Sequence, residues 1–200
     1  MRLMSDPIDR RPGEETVTLP ASHDAGLYFI GRVRTPWATR AECPKNGLQT
    51  DAICTLEVDA TFAPGLQNVE GASHLIVLYW MDRAARDIVR QRPRHAEGSR
   101  GTFSLRSPAR PNPIALSVVE LLGIDGATLS VRGLDCLDGT PLLDIKPYYA
   151  TTDSRPGATV DRAGTAKTSE VSTTLEVSTT LEVSTTSEVS KTSDSPGATR

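Results

Sequence analysis

A succession of short apolar or alternating segments, separated by glycine and proline, most constrains the fold of this chain. Seven of them lie between Leu27 and Tyr149, each of a length typical of a β-strand. Asp125-Gly126 joins two of the segments, and Asp-Gly favours a tight β-hairpin turn. Only Arg83–Gln91 has the composition of a short helix. The segments are Leu27–Arg34, Ile53–Asp59, His74–Trp80, Thr102–Arg106, Ile114–Leu122, Thr128–Leu134 and Leu142–Ile145.

This pattern predicts a mainly β protein, because many short strands with few helices are typical of a small barrel or sandwich. We expect a closed or partly open β-barrel of about seven strands in residues 26–150, with few short helices. Residues 1–25 are polar and rich in Pro, Asp and Glu, which predicts a flexible leader. Residues 151–200 contain tandem copies of EVSTTL, a low-complexity composition that predicts a disordered tail.

Several classes of protein are excluded by absent signals. No segment has the apolar core of a signal peptide or the ~18 apolar residues of a membrane span. The three cysteines form no CxxC motif and the three histidines lie far apart, so neither a disulfide framework nor a metal site is predicted. A reducing cytoplasm fits this cysteine usage. The chain also lacks GxGxxG, GxxxxGK[ST] and HExxH, so neither a Rossmann-type domain, a P-loop nor a zinc-binding helix is indicated.

The segment Ser104–Pro113 is unusually rich in proline and arginine. Its prolines restrict the residues before them to extended conformations, among them Arg110 and Asn112. A stiff loop of this kind holds guanidinium and amide groups in fixed directions, which suits a carboxylate or an adenine edge. The alternative is a proline-rich turn whose arginines are only solvated.

Two further features carry charge. Asp144 and Lys146 are two residues apart, so they share one face of a strand and form either a structural ion pair or part of a site. Residues 83–110 contain eight arginines against two acidic residues, a local balance of +6 in a chain of net charge −3. Arginine without lysine favours phosphate groups and therefore RNA, whereas the alternative is a solvated face. His74 begins an apolar strand, a position typical of a hydrogen-bonded core histidine.

Four motifs, in order, resemble the TrmO (TsaA-like, YaeB) family. They are IGRVRTP at 30–36, SHL at 73–75, FSLRSPARPNPIALS at 103–117 and LDCLDGTPLLDIKPY at 134–148. The resemblance implies a small β-barrel methyltransferase that uses S-adenosylmethionine and usually works as a homodimer. Known members methylate N6 of threonylcarbamoyladenosine next to the anticodon of a tRNA. Longer bacterial members continue into a small C-terminal domain, where this chain has its repeats.

The resemblance also implies a set of cofactor-binding residues. Pro44, Lys45 and Asn46 align with a Pro-Arg-Gln triplet of the family, from which the last two residues differ. We expect Arg106 and Asn112 to anchor the cofactor. The other implied contacts are His74, Leu75, Leu116, Cys136, Leu137, Asp138 and Gly139.

Methyl transfer from a sulfonium is an in-line displacement, so the protein mainly aligns the reactants and excludes water. The acceptor nitrogen is a poor nucleophile until its proton leaves. We expect Asp138 or Asp144 to take that proton, while Lys146 or Arg110 stabilises the developing negative charge. Two alternatives stay open: a methyltransferase of the same fold with another substrate, or a non-catalytic module that binds S-adenosylmethionine or RNA.

Overall fold

The computed structural model describes residues 11–93 and 98–160. Nine strands in these residues, numbered in chain order, form one barrel and one small separate sheet. A single turn of α-helix, α1 (Ala150–Asp153), follows the last strand. The strands are β1 (Glu15–Thr16), β2 (Gly31–Arg34), β3 (Ile53–Val58), β4 (His74–Trp80), β5 (Ile88–Gln91), β6 (Arg100–Gly101), β7 (Ile114–Asp125), β8 (Thr128–Arg132) and β9 (Thr140–Pro147).

The barrel is closed and antiparallel, in the order β2-β3-β8-β7-β4-β9, with β9 pairing back to β2. The predicted mainly β barrel with few short helices is therefore confirmed, with six strands in the barrel. β7 is 12 residues long and changes partners along its length. Residues 114–120 pair with β4, and residues 120–125 pair with β8.

Alternation along the strands places the core inside the barrel. In β4, Leu75, Val77 and Tyr79 point inward and are at most 1% exposed, while the residues between them lie on the outer face. Removing each such side chain from water contributes about 1.5–3 kcal/mol to folding. The inward residues of the other strands complete one cluster. They include Val33, Leu56, Val119, Leu129, Val131 and Leu142.

Two predicted elements were wrong. Thr102–Arg106 is not a strand, because Thr102–Ser104 forms a 3₁₀ turn. The buried Thr102 hydroxyl donates to the Ile88 carbonyl (3.1 Å) and fixes this turn. Arg83–Gln91 is not a helix. Its second half is β5, which lies between β1 and β6 in the small sheet and begins with two β-branched residues that favour a strand.

The terminal segments are described only in part. Within the predicted leader, Glu15–Thr16 pairs with β5, and Arg90 forms an ion pair with Glu15 (2.9 Å). The hexapeptide repeats lie outside the described residues, so the predicted leader and tail stay predictions. Within the described ranges, no helix is both long and apolar enough to cross a membrane.

Closure of the barrel predicts a strong effect of Gly31→Ala. A Cβ atom on Gly31 would lie 2.0 Å from the Glu57 carbonyl oxygen, which is held in the β2–β3 ladder. We expect Gly31→Ala to lower the free energy of unfolding by about 3 kcal/mol, measured by urea denaturation. Gly123→Ala is the matched control within a strand, since nothing lies within 4 Å of its Cβ position. Equal losses for the two variants would contradict this account of the closure.

Candidate functional site

The first half of β7 pairs with β4 on one side only, because β8 ends at Arg132, opposite Glu120. Loops fill the space beyond the unpaired edge instead of a strand. They enclose a cavity of about 640 Å³, called here the β7 cavity. Its walls are Lys45–Leu48, Arg106–Pro108, Arg110, Gly133, Asp135, Tyr79, Met81 and Ile114–Val118.

A second cavity of about 390 Å³ lies beside it and is called here the cysteine cavity. Cys43 and Cys136 line it, together with Arg40, Arg83 and Asp82. Both volumes fall in the range of small-molecule sites, about 300–1,000 Å³. Five residues line both cavities, so the two adjoin. The shared residues are Lys45, Met81, Arg106, Pro108 and Asp135.

Arg106 connects its loop to the unpaired edge of β7. Its Nη2 donates to the carbonyl of Leu116 (2.9 Å), a group that a neighbouring strand would otherwise occupy. The rest of this loop is stiffened from within by Arg110. That guanidinium donates to the carbonyls of Ser107 (2.9 Å), Thr102 (3.3 Å) and Leu105. Arg110 therefore holds the loop in shape in addition to lining the β7 cavity.

Two further arginines of the arginine-rich segment make contacts within the protein. Arg86 packs over the ring of Trp80 (5.3 Å to its centroid) and donates to the Pro111 carbonyl (2.8 Å). Arg90 is paired with Glu15 in the small sheet. By contrast, Arg83 is exposed at the rim of the cysteine cavity. Arg86 and Arg110 thus stabilise the loop and Arg90 the small sheet, whereas Arg83 is available to a ligand.

The opposite wall is formed by residues 43–48. Gly47 packs directly on Gly133, so closely that a Cβ atom there would lie 1.8 Å from the Gly133 carbonyl oxygen. Asn46 accepts a hydrogen bond from the Leu48 amide (3.0 Å) and begins a 3₁₀ turn. Cys43 Sγ donates to the Asp135 carbonyl (3.0 Å). These contacts hold Pro44 to Leu48 against the start of the segment that follows β8.

Asp135 is the main functional candidate that the sequence analysis missed. The Tyr79 hydroxyl donates to Asp135 Oδ1 (2.6 Å) and lies 2.9 Å from Ser117 Oγ, which is itself 3.4 Å from the carboxylate. Burial raises the pKa of Tyr79, so its phenol stays protonated and remains the donor. Gly133, two residues before Asp135, has φ +110°, a backbone conformation that favours glycine. Asp135 lines both cavities.

The thiols that line the cysteine cavity are poor nucleophiles. Burial raises the pKa of Cys43 to about 11, and it raises the pKa of Cys136 as well. Both groups are therefore neutral thiols at pH 7, and the thiolate is the reactive form. The cavity walls offer cations, carboxylates and hydroxyls for binding. No group of three or more potential metal ligands occurs among the described residues.

Residues 32–154 match the model of the tRNA-methyltransferase O N-terminal domain. The chain belongs to this family. The predicted family is thereby confirmed.

Individual relatives agree with this assignment. A probable S-adenosyl-L-methionine-binding protein, VirR of Rhizobium radiobacter, is 48% identical over 68% of this chain and 78% of its own length. The tRNA (adenine(37)-N6)-methyltransferase of Escherichia coli is 36% identical over 72% of this chain and 66% of its own. The crystal structure of TrmO from Pseudomonas aeruginosa superimposes with a TM-score of 0.58 at 31% identity, over 70% of this chain. The superposition covers 63% of the length of that TrmO chain.

Seven of the cofactor-binding residues implied by the TrmO resemblance lie together around the two cavities. Their positions come from three separate segments of the chain and from β7. They are Pro44, Lys45, Asn46, Arg106, Leu116, Cys136 and Leu137. Asn112 belongs to the Ser104–Pro113 loop, but it is exposed and lines neither cavity. Its predicted role with Arg106 stays a prediction.

Two other implied contacts lie at the far end of β4. Tyr79, at one end of the strand, reaches the β7 cavity, whereas His74 and Leu75 are at the other end. Leu75 is fully buried in the core. His74 is exposed on the outer face and lies 3.1 Å from the Ser73 hydroxyl, so it is not a core histidine. Within one chain the structure does not bring these two residues to the cavities.

Of the predicted catalytic groups, Arg110 lines the β7 cavity, whereas Asp138, Asp144 and Lys146 line neither cavity. Asp138 Oδ1 accepts from the Thr35 amide (3.1 Å), and its other oxygen lies 3.7 Å from Arg34, so this carboxylate ties its turn to the end of β2. Gly139, at φ +76°, completes the turn. Lys146 Nζ is 2.5 Å from Asp144 Oδ2 on β9, where both side chains are well exposed. Their catalytic roles stay predictions.

The contact between Gly47 and Gly133 predicts that a single methyl group opens the site. We expect Gly47→Ala to displace residues 43–48 and to weaken binding of S-adenosylmethionine about tenfold, or roughly 1.4 kcal/mol, in calorimetric titrations. Gly65→Ala is the matched control, because Gly65 also lies in a 3₁₀ turn and nothing lies within 4 Å of its Cβ position. Unchanged affinity in Gly47→Ala would mean that this wall does not contact the cofactor.

Proposed function

We propose that this chain is an S-adenosylmethionine-dependent methyltransferase acting on N6 of threonylcarbamoyladenosine next to the anticodon of a tRNA. One observation carries the proposal: two adjoining cavities are lined by seven residues that the family resemblance implies in cofactor binding. Family membership over residues 32–154 supports the same chemistry. The name of the Escherichia coli relative supports an adenine N6 acceptor in tRNA.

The cavity walls fit a nucleoside cofactor. The unpaired edge of β7 offers backbone groups to a base, and Leu116 and Val118 give its rim an apolar surface. Asn46 and Arg106 add an amide and a forked donor. S-adenosylmethionine, when bound, supplies an electrophilic methyl group on its sulfonium sulfur. The residues of this chain that would hold it are Lys45, Asn46, Arg106, Leu116 and the backbone of 136–137.

The protein's contribution to the reaction is alignment and exclusion of water. The Arg106–Leu116 hydrogen bond and the internal contacts of Arg110 fix one wall before any ligand binds, which lowers the entropic cost of binding. For the proton on the acceptor nitrogen we propose Asp138 or Asp144 as acceptor, with Lys146 or Arg110 as the stabilising cation. Asp138 is the stronger candidate, because it directly follows Leu137 in the wall of the cysteine cavity.

The decisive experiment compares tRNA carrying and lacking the threonylcarbamoyl group in a methyl-transfer assay with the purified chain. We expect transfer to the modified tRNA only, and loss of the N6-methyl nucleoside from tRNA of a deletion strain, measured by mass spectrometry. Binding of S-adenosylmethionine without transfer to any RNA would favour a non-catalytic module. Transfer to an unmodified RNA would favour another substrate.

Variants test the residues in the same assay. We expect Arg106→Ala to lower kcat/KM about 10- to 100-fold, because it removes a charged donor from both cavities. Arg92→Ala removes an exposed arginine that lines neither cavity and is the control. Full turnover by Asp138→Asn or Asp144→Asn would exclude the substituted residue as proton acceptor.

We propose further that the chain forms a homodimer through the outer face of β4 and β7. Three cross-strand pairs on this face are apolar where an exposed barrel surface is usually polar. Ile114, Leu116 and Val118 are each more than 40% exposed and also line the β7 cavity. A second copy on this face would therefore cover the mouth of that cavity. The pairs are Ile76–Val118, Leu78–Leu116 and Trp80–Ile114.

Sedimentation of charged variants tests the dimer. We expect Ile76→Glu to shift the chain to monomers at micromolar concentration, because it places a charge in the apolar face outside the cavity walls. Ile53→Glu, on the outer side of β3 and 62% exposed, is the matched control. A wild-type chain that sediments as a monomer at all concentrations would end this proposal.

A further inference from the structure

Asp135 is the one carboxylate, among the described residues, that lines both cavities. Its Oδ1 is occupied by the hydroxyls of Tyr79 and Ser117. Its Oδ2 has no hydrogen-bond partner within the described part of the chain. Oδ2 is also not fully buried, unlike Arg132 Nε, which is buried and has no partner. Oδ2 is therefore open to the cavities, where a ligand can reach it.

The carboxylate is held in place before any ligand arrives. Tyr79 is 1% exposed and cannot move without disturbing the core, and its bond to Asp135 is short at 2.6 Å. On the other side, Cys43 donates to the backbone carbonyl of Asp135. A group fixed by its neighbours in this way loses little entropy when it binds, which is characteristic of ligand-binding residues.

Exposed cations besides Arg106 also line the cysteine cavity. Arg40, Lys45 and Arg83 line it, and all three are exposed. Within the described residues, none of them has a carboxylate partner within 4.0 Å, in contrast to Arg34, which has two. The cavity therefore combines a fixed carboxylate with unpaired cations, a distribution complementary to a group that carries one positive and one negative charge.

We infer that Asp135 binds the ammonium group of the amino-acid end of S-adenosylmethionine, and that Arg40, Lys45 and Arg83 bind its carboxylate. This places the amino-acid end in the cysteine cavity and leaves the β7 cavity, with its apolar rim and free strand edge, for the adenosine. The inference rests on the proposed function only in taking S-adenosylmethionine as the ligand. Tyr79 and Ser117 act as positioning residues for Asp135.

Calorimetric titration with four ligands tests the assignment without RNA. The ligands are S-adenosylmethionine and three analogues. S-adenosylhomocysteine keeps the ammonium and carboxylate but lacks the sulfonium charge, and decarboxylated S-adenosylmethionine lacks only the carboxylate. 5′-Methylthioadenosine lacks the ammonium, the carboxylate and the sulfonium charge. We expect Asp135→Asn to weaken S-adenosylmethionine, S-adenosylhomocysteine and decarboxylated S-adenosylmethionine about tenfold or more, because all three carry the ammonium group, and to leave 5′-methylthioadenosine unchanged. Arg83→Gln should weaken S-adenosylmethionine but not its decarboxylated form.

Two control variants carry the same change of charge. Asp125→Asn alters an exposed residue in the β7–β8 turn and keeps a sequence, Asn-Gly, that suits the turn. Asp82→Asn removes the other carboxylate of the cysteine cavity. We expect no effect from Asp125→Asn and a smaller effect from Asp82→Asn. A larger loss in Asp82→Asn than in Asp135→Asn would overturn the inference.

Other outcomes are equally decisive. If Asp135→Asn weakens S-adenosylmethionine but not S-adenosylhomocysteine, the carboxylate faces the sulfonium and the ammonium assignment is wrong. If affinities are unchanged while kcat falls and its pH dependence shifts, Asp135 is a proton acceptor instead. Should the variant fail to fold, the wild-type chain still tests the inference: 5′-methylthioadenosine binding as tightly as S-adenosylhomocysteine would overturn it.

The binding assay also separates this inference from the proposed function. A chain that shows the expected ligand pattern but methylates no tRNA retains the binding assignment and loses the proposed activity. A chain that methylates tRNA while Asp135→Asn binds every ligand normally retains the activity and loses the assignment.

Discussion

The change of partners along β7 is the constraint on which the site depends. β7 has 12 residues and is longer than either neighbour. One edge of its first half pairs with β4, and the opposite edge of its second half pairs with β8. The uncovered edge presents backbone groups that need partners, because buried unpaired amide and carbonyl groups are costly. Arg106 satisfies one of these carbonyls with a side chain. The remaining space is the β7 cavity, which therefore follows from the barrel topology.

Arginine has a structural function here that a charge count does not reveal. A guanidinium carries five donors in a planar fork, so one side chain can bind several carbonyls at once. Arg110 does so in a loop whose three prolines lack amide hydrogens and therefore cannot form a regular backbone network. Arg86 adds a contact with the Trp80 ring and the Pro111 carbonyl. Arg86 and Arg110 thus supply side-chain hydrogen bonds that stabilise this loop where its prolines cannot donate.

The sequence predicted the barrel well, because period-2 alternation reports directly on which face of a strand is buried. It predicted the secondary structure of residues 83–106 poorly. Thr102 has the β-branched character of a strand residue, yet its hydroxyl closes a turn on Ile88, a contact 14 residues away in sequence. Ile88–Gln91 has few apolar residues, and its partner β1 contributes only two residues. Such short pairings leave little periodic signal.

The site was predicted in part for a similar reason. Spacing shows that Asp144 and Lys146 share a face of β9, but not that this face is the outer one, where they pair with each other. Asp138 stood out through its Asp-Gly turn. Asp135 lies in the same motif at 134–148, but the motif does not show which groups its carboxylate contacts. Its importance comes from Tyr79, 56 residues earlier, whose hydroxyl donates a hydrogen bond to its carboxylate. Long-range contacts of this kind are determined by closure of the barrel and become visible only when the strands are assembled.

The apolar outer face of β4 and β7 is coupled to the β7 cavity, because Leu116 belongs to both. Its side chain is 44% exposed on the apolar face, while its carbonyl receives Arg106 at the edge of the β7 cavity. A second copy that covers this face would enclose the cavity mouth and remove water from it. His74 is exposed on the same face of β4, at the end remote from the cavity, so a site that uses both His74 and Arg106 requires residues from two chains. Dimerisation and cofactor binding would then be thermodynamically linked, each raising the affinity of the other by the same factor.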